Sequence, residues 1–129
     1  MPDPPIPDTL RRFLMTGALT VPHVEAILQL RATPDQAWDA KELARRLYLR
    51  PEVVGGLLSD LHGMGVVEPD TGRPDSVRYF PATADLAELI EQLALAYTKH
   101  LGAVARLIHS VEGRKAHAFA DAFRFKKEP

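Results

Sequence analysis

The sequence has no cysteine among its 129 residues. Disulfides, thiolate metal sites and cysteine nucleophiles are therefore excluded. It also lacks any apolar run near the roughly 20 residues that a membrane-spanning helix requires. The Pro-rich start, MPDPPIPDT, has neither the basic beginning nor the apolar segment of a signal peptide. Together these absences predict a cytoplasmic protein.

Sequence motifs of catalysis and metal binding are also lacking. There is no nucleophile elbow, no phosphate-cradling glycine loop and no dinucleotide fingerprint. No two of the five histidines have the i, i+4 spacing of a helical metal site; they are His23, His62, His100, His109 and His117. We therefore expect no enzymatic activity, no metal and no cofactor.

Charge is balanced overall but unevenly distributed along the chain. The net charge of −1 creates no global field that would attract nucleic acid. Residues 1–50 carry 7 Lys/Arg and 6 Asp/Glu, residues 51–105 carry 3 and 8, and residues 106–129 carry 6 and 3. The middle of the chain is therefore acidic, with a net charge of −5, and the last segment is basic.

Hydrophobic spacing predicts a mainly α protein with a small β-hairpin. Residues 1–8, rich in proline, are expected to be disordered. Asp8 or Thr9 could cap a short helix that Gly17 ends, and Thr20 could cap a second helix.

The central segment, from Trp38 to Thr83, carries the most informative pattern. Asp39 and Glu42 have the spacing of a capping box at the start of a third helix. A fourth helix follows Pro51, and a strand, a Gly/Pro-rich loop and a returning strand come after it. Its apolar residues fall in one sector that we expect to be buried; they are Val53, Val54, Leu57, Leu58, Leu61 and Met64.

Residues 83–112 predict a long C-terminal helix of the dimerisation type, followed by a basic amphipathic tail at 113–129. Its apolar residues recur at steps of three and four, close to a heptad seam; the seam consists of Leu86, Ile90, Leu93, Tyr97, Leu101, Val104 and Ile108. Left in water, this seam would form a large apolar patch, so we expect a homodimer. An N-terminal helix that folds back could instead cover the seam in a monomer.

The order of these elements resembles a winged helix-turn-helix, which would occupy residues 9–82. The resemblance is carried by WDAKELARRLYLRPEVVGGLLSDLHGMGVVEPDTGRPDSVRYFPAT, with ELARRL as the first helix of the motif and LLSDLHGMGVVE before the wing. The long helix afterwards is similar to those of MarR-like, ArsR-like and PadR-like bacterial transcriptional regulators. The resemblance implies that the second helix of the motif enters the major groove of duplex DNA.

The resemblance also implies which residues contact DNA, namely Arg45, Arg46, Arg50, Ser59, His62, Arg73 and Arg78. The outward face of the fourth helix has no Lys or Arg, however, and consists of Glu52, Gly55, Gly56, Ser59, Asp60, His62 and Gly63. Two interpretations therefore stay open. The chain is a DNA-binding regulator, or it is a winged-helix protein-interaction module that binds little or no DNA.

Three further hypotheses concern other features of the sequence. A smooth strip of Gly55, Gly56, Ser59 and Gly63 could dock a helix from the chain's own termini or from a protein partner. Trp38 is expected in the core, with an effector pocket as the alternative. The basic tail, with Arg114, Lys115, Arg124, Lys126 and Lys127, could supply charge for DNA or, as the least favoured interpretation, contact an anionic membrane.

Overall fold

A computed structural model describes residues 6–17 and 19–109. These residues form helices α1 (Asp8–Thr16), α2 (Val21–Ala32), α3 (Ala40–Leu47), α4 (Pro51–Met64) and α5 (Ala84–Lys99), with strands β1 (Val67–Pro69) and β2 (Val77–Tyr79) between α4 and α5. Residues 101–109 are also helical and are called α6. The fold is mainly α with one small hairpin, as predicted.

The chain divides into two compact units. Among the described residues, one unit comprises 6–17, 19–21 and 95–109, and the other is Pro22–Ala94. No single helix of the described residues is long and apolar enough to cross a bilayer, although α1 and α2 taken together reach that length and composition.

Helix α1 belongs to the first unit and buries Leu10 and Leu14. Its N-cap residue is Pro7, and no side chain caps it, so the prediction that Asp8 or Thr9 would do so is wrong. Gly17 follows its last residue, as predicted. Of the stretch expected to be disordered, residues 1–5 lie outside the described part, whereas Ile6 is buried.

Helices α3 and α4 are joined by a tight turn and pack against each other. The predicted capping box is present, because Glu42 N–H donates to Asp39 Oδ1 at 2.8 Å and Asp39 N–H donates to Glu42 Oε1 at 3.2 Å. Helix α4 begins at Pro51 and ends at Met64, followed by Gly65 in the left-handed conformation with φ 84°. Gly63 lies inside the helix.

The buried face of α4 follows the predicted sector with one exception. Val54, Leu57, Leu58 and Leu61 are buried, and Met64 is half-buried. Val53 is 46% exposed, so the expectation that it belongs to the core is wrong.

The hairpin is an antiparallel pair in which Glu68 lies opposite Arg78. Trp38 extends this small sheet beyond its two strands, since Trp38 and Val77 exchange two backbone hydrogen bonds of 2.8 and 2.9 Å. Trp38 is buried and its indole N–H donates to Thr33 Oγ1 at 3.0 Å. The interpretation of Trp38 as a core residue is confirmed, and it also anchors the hairpin.

The helical stretch predicted at 83–112 starts as expected, with the Thr83 hydroxyl accepting a hydrogen bond from Leu86 N–H. It is divided at His100, which lies outside both α5 and α6. The His100 N–H donates to the Ala96 carbonyl at 2.6 Å and its own carbonyl accepts from Val104 N–H at 3.0 Å. One residue thus ends α5 and begins α6. Residues 110–112 and the basic tail lie outside the described part.

Candidate nucleic-acid interface

The exposed face of α4 is smooth and carries no positive charge. No atom of the described residues lies within 4 Å of the place where a Cβ would stand on Gly55, Gly56 or Gly63, apart from the helix itself. Ser59 and His62 are exposed on this helix. The strip proposed for helix docking is therefore uncovered by the described chain, and it is open to a partner.

One acidic side chain of α4, Asp60, contacts a histidine of another helix. Asp60 Oδ2 lies 2.9 Å from His23 Nε2 of α2, within hydrogen-bonding distance. The His23 side chain is largely buried, whereas the Asp60 side chain is 62% exposed. Because Asp60 remains exposed, it would still repel a phosphate group placed against the middle of α4.

The arginines around the turn between α3 and α4 are the available cations of the motif. Arg45, Arg46 and Arg50 are all exposed. Arg45 makes no ion pair with any of the described residues, and Arg46 donates only to the neutral side chain of Gln29, at 3.3 Å. Arg50 is 83% exposed and lies 3.7 Å from Glu52, a distance typical of a weak surface pair. Residues 45–50 therefore present three guanidinium groups to solvent.

The wing arginines are engaged by acids of the same chain. Arg73 Nη2 donates to Glu42 Oε1 at 2.6 Å, and Arg73 Nη1 donates to the Ala37 carbonyl at 3.1 Å. The hydrogen bond to Glu42, with its charge, raises the pKa of Arg73 further. Arg78 donates to Glu68 at 3.2 Å across the hairpin. The Arg73 and Arg78 side chains are 48% and 43% exposed, so each can still donate to a phosphate group, but a carboxylate already occupies part of each guanidinium.

The predicted site residues thus separate into three groups. The turn brings together Arg45, Arg46 and Arg50, and α4 presents Ser59 and His62 beyond them. Arg73 and Arg78 are on the wing but are already paired. The sequence interpretation missed Tyr48 in the turn, which is 95% exposed; an aromatic residue between two helices, directly before Leu49-Arg50-Pro51, was the available signal.

The residues expected to form a dimer seam are largely covered within one chain. Ile90, Leu93, Val104 and Ile108 are buried, and Leu86 and Tyr97 are half-buried. Leu101 is 52% exposed, and Leu95, which was not part of the predicted seam, is 57% exposed. The exposed apolar surface at this end of the described chain is therefore smaller than a full heptad seam.

A metal centre does not emerge from the described residues. No group of three or more His, Asp or Glu side chains among them could hold a metal ion.

An open groove of about 350 Å³ runs along α1, with Arg11, Arg12 and Met15 among its lining residues.

Comparisons with known proteins bear on the fold. No protein-family model matches the sequence, and no curated protein matches it. The structure is similar to that of a MepR mutant from a multidrug-resistant S. aureus clinical isolate, with 13% sequence identity and a TM-score of 0.51, over 94% of this chain and 88% of that chain. Since the identity is low, the similarity speaks for the fold alone.

The class of protein follows from these features. A helix-turn-helix of α3 and α4, a two-stranded wing and a third extended residue at Trp38 constitute the winged helix-turn-helix fold. The chain has this fold, as its sequence resemblance implied.

Proposed function

We propose that this protein is a transcriptional regulator that binds duplex DNA through its winged helix and acts as a homodimer, without catalysing a reaction. The observation that carries the proposal is the group of three exposed arginines at residues 45–50, none of which makes a close ion pair with an acid. Arginines placed beside a groove-reading helix are suited to phosphate oxygens. The fold, and the resemblance of the sequence to bacterial regulators, support the same function.

The contacts differ in kind along the surface. Arg45, Arg46 and Arg50 bind the DNA backbone, while Ser59 and His62 on α4 face the edges of the bases. The glycines at 55 and 56 allow α4 to approach the groove closely because they carry no side chain there. Arg73 and Arg78 contribute less, because Glu42 and Glu68 compete with a phosphate for their guanidinium donors.

Affinity for random-sequence duplex DNA, measured against salt concentration, tests the proposal. Each phosphate contact changes the slope of log K against log salt by about 0.9 in B-DNA. We expect a steep negative slope for the wild type. The slope of Arg45→Ala should be shallower by about 0.9, the value for one lost phosphate contact. Arg106→Ala, an exposed arginine of α6, is the matched control and should leave the slope unchanged.

Arg73→Ala compares an arginine that already binds a carboxylate with Arg45, which makes no ion pair with any of the described residues. Because Arg73 is bound by Glu42, its removal should alter the slope less than the removal of Arg45 does. Equal effects of the two substitutions would show that the wing arginine exchanges partners freely on binding.

The open, acidic face of α4 favours a second function, that of a protein-interaction module. Glu52 and Asp60 disfavour DNA, and the exposed strip of Gly55, Gly56, Ser59 and Gly63 allows close approach of a partner helix. A weak and flat salt response of the wild type, down to low salt, would favour this alternative. Gly56→Leu should then abolish partner binding, because it fills the strip while the fold is retained.

A further inference from the structure

Tyr48 occupies a backbone conformation that suits glycine. It ends α3 with φ 58° and ψ 42°, the left-handed region, and its N–H donates to the Ala44 carbonyl. A bulky side chain is rare there because its Cβ crowds the backbone, and glycine is the usual residue at this position of a helix end. The next residue, Leu49, also donates to the Ala44 carbonyl, at 2.9 Å, so the turn is tightly closed.

Contacts among the described residues give no reason for a tyrosine at this position. The residue is 95% exposed, so its ring buries almost no apolar surface. Its hydroxyl has no hydrogen-bond partner among the described residues. A conformationally unfavourable residue that contributes nothing to packing points to a role outside the fold.

The surroundings of Tyr48 select the kind of partner. Arg45, Arg46 and Arg50 flank it in the sequence and are exposed, whereas Glu52 is the nearest acid along the chain. A ring with a free hydroxyl among three cations matches a polyanion whose oxygens accept hydrogen bonds. Tyrosine is among the side chains that donate to DNA phosphate oxygens.

We propose that Tyr48 donates its phenolic hydrogen to a phosphate of the DNA backbone and thereby fixes the position of the turn on the duplex. This rests on the proposed function and adds to it a contact that carries no charge. A neutral donor releases no counterion, so its loss lowers affinity without changing the salt slope. The slope therefore separates the effect of Tyr48 from that of its neighbouring arginines.

The experiment compares Tyr48→Gly, Tyr48→Phe and Arg50→Ala with the wild type, using a random-sequence duplex at several salt concentrations together with thermal unfolding. Tyr48→Gly should unfold at the same temperature or higher, since glycine relieves the left-handed strain. Its affinity should fall about tenfold, as expected for a lost hydrogen bond to a charged group, with the slope unchanged. Tyr48→Phe should show most of the same loss, while Arg50→Ala should make the slope shallower.

The outcomes separate the two proposals. If the wild type shows no salt-dependent binding, the proposed function fails and the role of Tyr48 fails with it. If the affinity of the wild type falls steeply with salt, and both Tyr48→Phe and Tyr48→Gly bind DNA as tightly as the wild type does, the proposed function stands and the Tyr48 contact is refuted. Should Tyr48→Gly unfold at a clearly lower temperature, Tyr48→Phe decides alone, because it keeps the ring and removes only the hydroxyl.

Discussion

Gly55 within α4 and Gly65 directly after it should respond in opposite ways to substitution by alanine. Gly65 has φ 84°, and a Cβ there would lie 3.1 Å from the Ala82 Cβ, whereas a Cβ on Gly55 would meet open space. We expect Gly65→Ala to lower the free energy of unfolding by about 1 kcal/mol or more. Gly55→Ala should raise it by up to about 1 kcal/mol, since alanine favours a helix interior. Urea unfolding followed by the fluorescence of Trp38, the single tryptophan, measures both, and shifts of the same sign would contradict this account.

An ion pair between α2 and α5 should make stability depend on pH. Arg31 binds Glu91 in two hydrogen bonds of 2.7 Å. The hydrogen bond from Arg31 is the main cause that lowers the pKa of Glu91; burial opposes it in part, and the charge of Arg31 lowers the pKa further. A lowered pKa in the folded state means that this stabilisation is present above the unfolded pKa of glutamate, about 4.3, and is lost as pH falls through the folded value.

Glu91→Gln tests that dependence. The side chains of Arg31 and Glu91 are 35% and 52% exposed, so solvent screens the pair. We therefore expect the free energy of unfolding to fall by only about 0.2–1 kcal/mol at pH 7. The difference from the wild type should shrink toward zero as the pH is lowered below the pKa of Glu91. Glu88→Gln, an exposed glutamate of the same helix, is the control, and a constant difference from pH 7 to pH 2 would contradict the assignment.

The wing, as an element, depends on residues before the helix-turn-helix. Trp38 connects to Val77 through its backbone and to Thr33 through its indole N–H, and the Thr33 hydroxyl in turn donates to the Gln29 carbonyl. Arg73 adds a link from the wing loop to the start of α3. A hairpin of two three-residue strands is therefore held by contacts outside itself, as short isolated hairpins require.

Trp38→Phe should weaken this anchorage while keeping the backbone bridge. We expect a loss of about 1 kcal/mol from the indole hydrogen bond, in addition to the smaller buried area. Circular dichroism during thermal unfolding measures it, since the substitution removes the fluorophore. Thr33→Val removes the same hydrogen bond from the other side, so the double variant should lose less than the sum of the two. Full additivity would show that the bond contributes nothing.

For the whole molecule, the apolar residues still exposed near the helix break determine whether two copies associate. Leu95 and Leu101 are both more than half exposed and belong to the same compact unit. If the homodimer uses this surface, sedimentation of the wild type at micromolar concentration should give twice the chain mass, and Leu101→Glu should give monomers. Val53→Glu, an exposed apolar residue of α4, should remain dimeric. A wild type that sediments as a monomer would rule the dimer out.

Elements whose cause is local could be predicted from the amino-acid sequence alone. The capping box of Asp39 and Glu42, the start of α4 at Pro51 and its end before Gly65 follow from residues a few positions apart, because backbone groups at helix ends are satisfied by nearby side chains or special conformations. The order of helices and strands, and hence the winged helix-turn-helix, follows from hydrophobic spacing in the same way.

Which side chains are available at the surface depends on contacts between parts of the chain that are far apart in sequence. Arg73 meets Glu42 across 31 positions, Arg31 meets Glu91 across 60, and Trp38 pairs with Val77; no local pattern contains these partners. The exposure of Val53 and Tyr48 and the burial of Ile90 and Val104 likewise depend on what packs nearby in space. The resemblance to a winged helix-turn-helix made seven residues candidates for DNA contact. Partner distance separates the exposed arginines of the turn from the paired arginines of the wing, because a carboxylate that already binds a guanidinium competes with a phosphate for its donors.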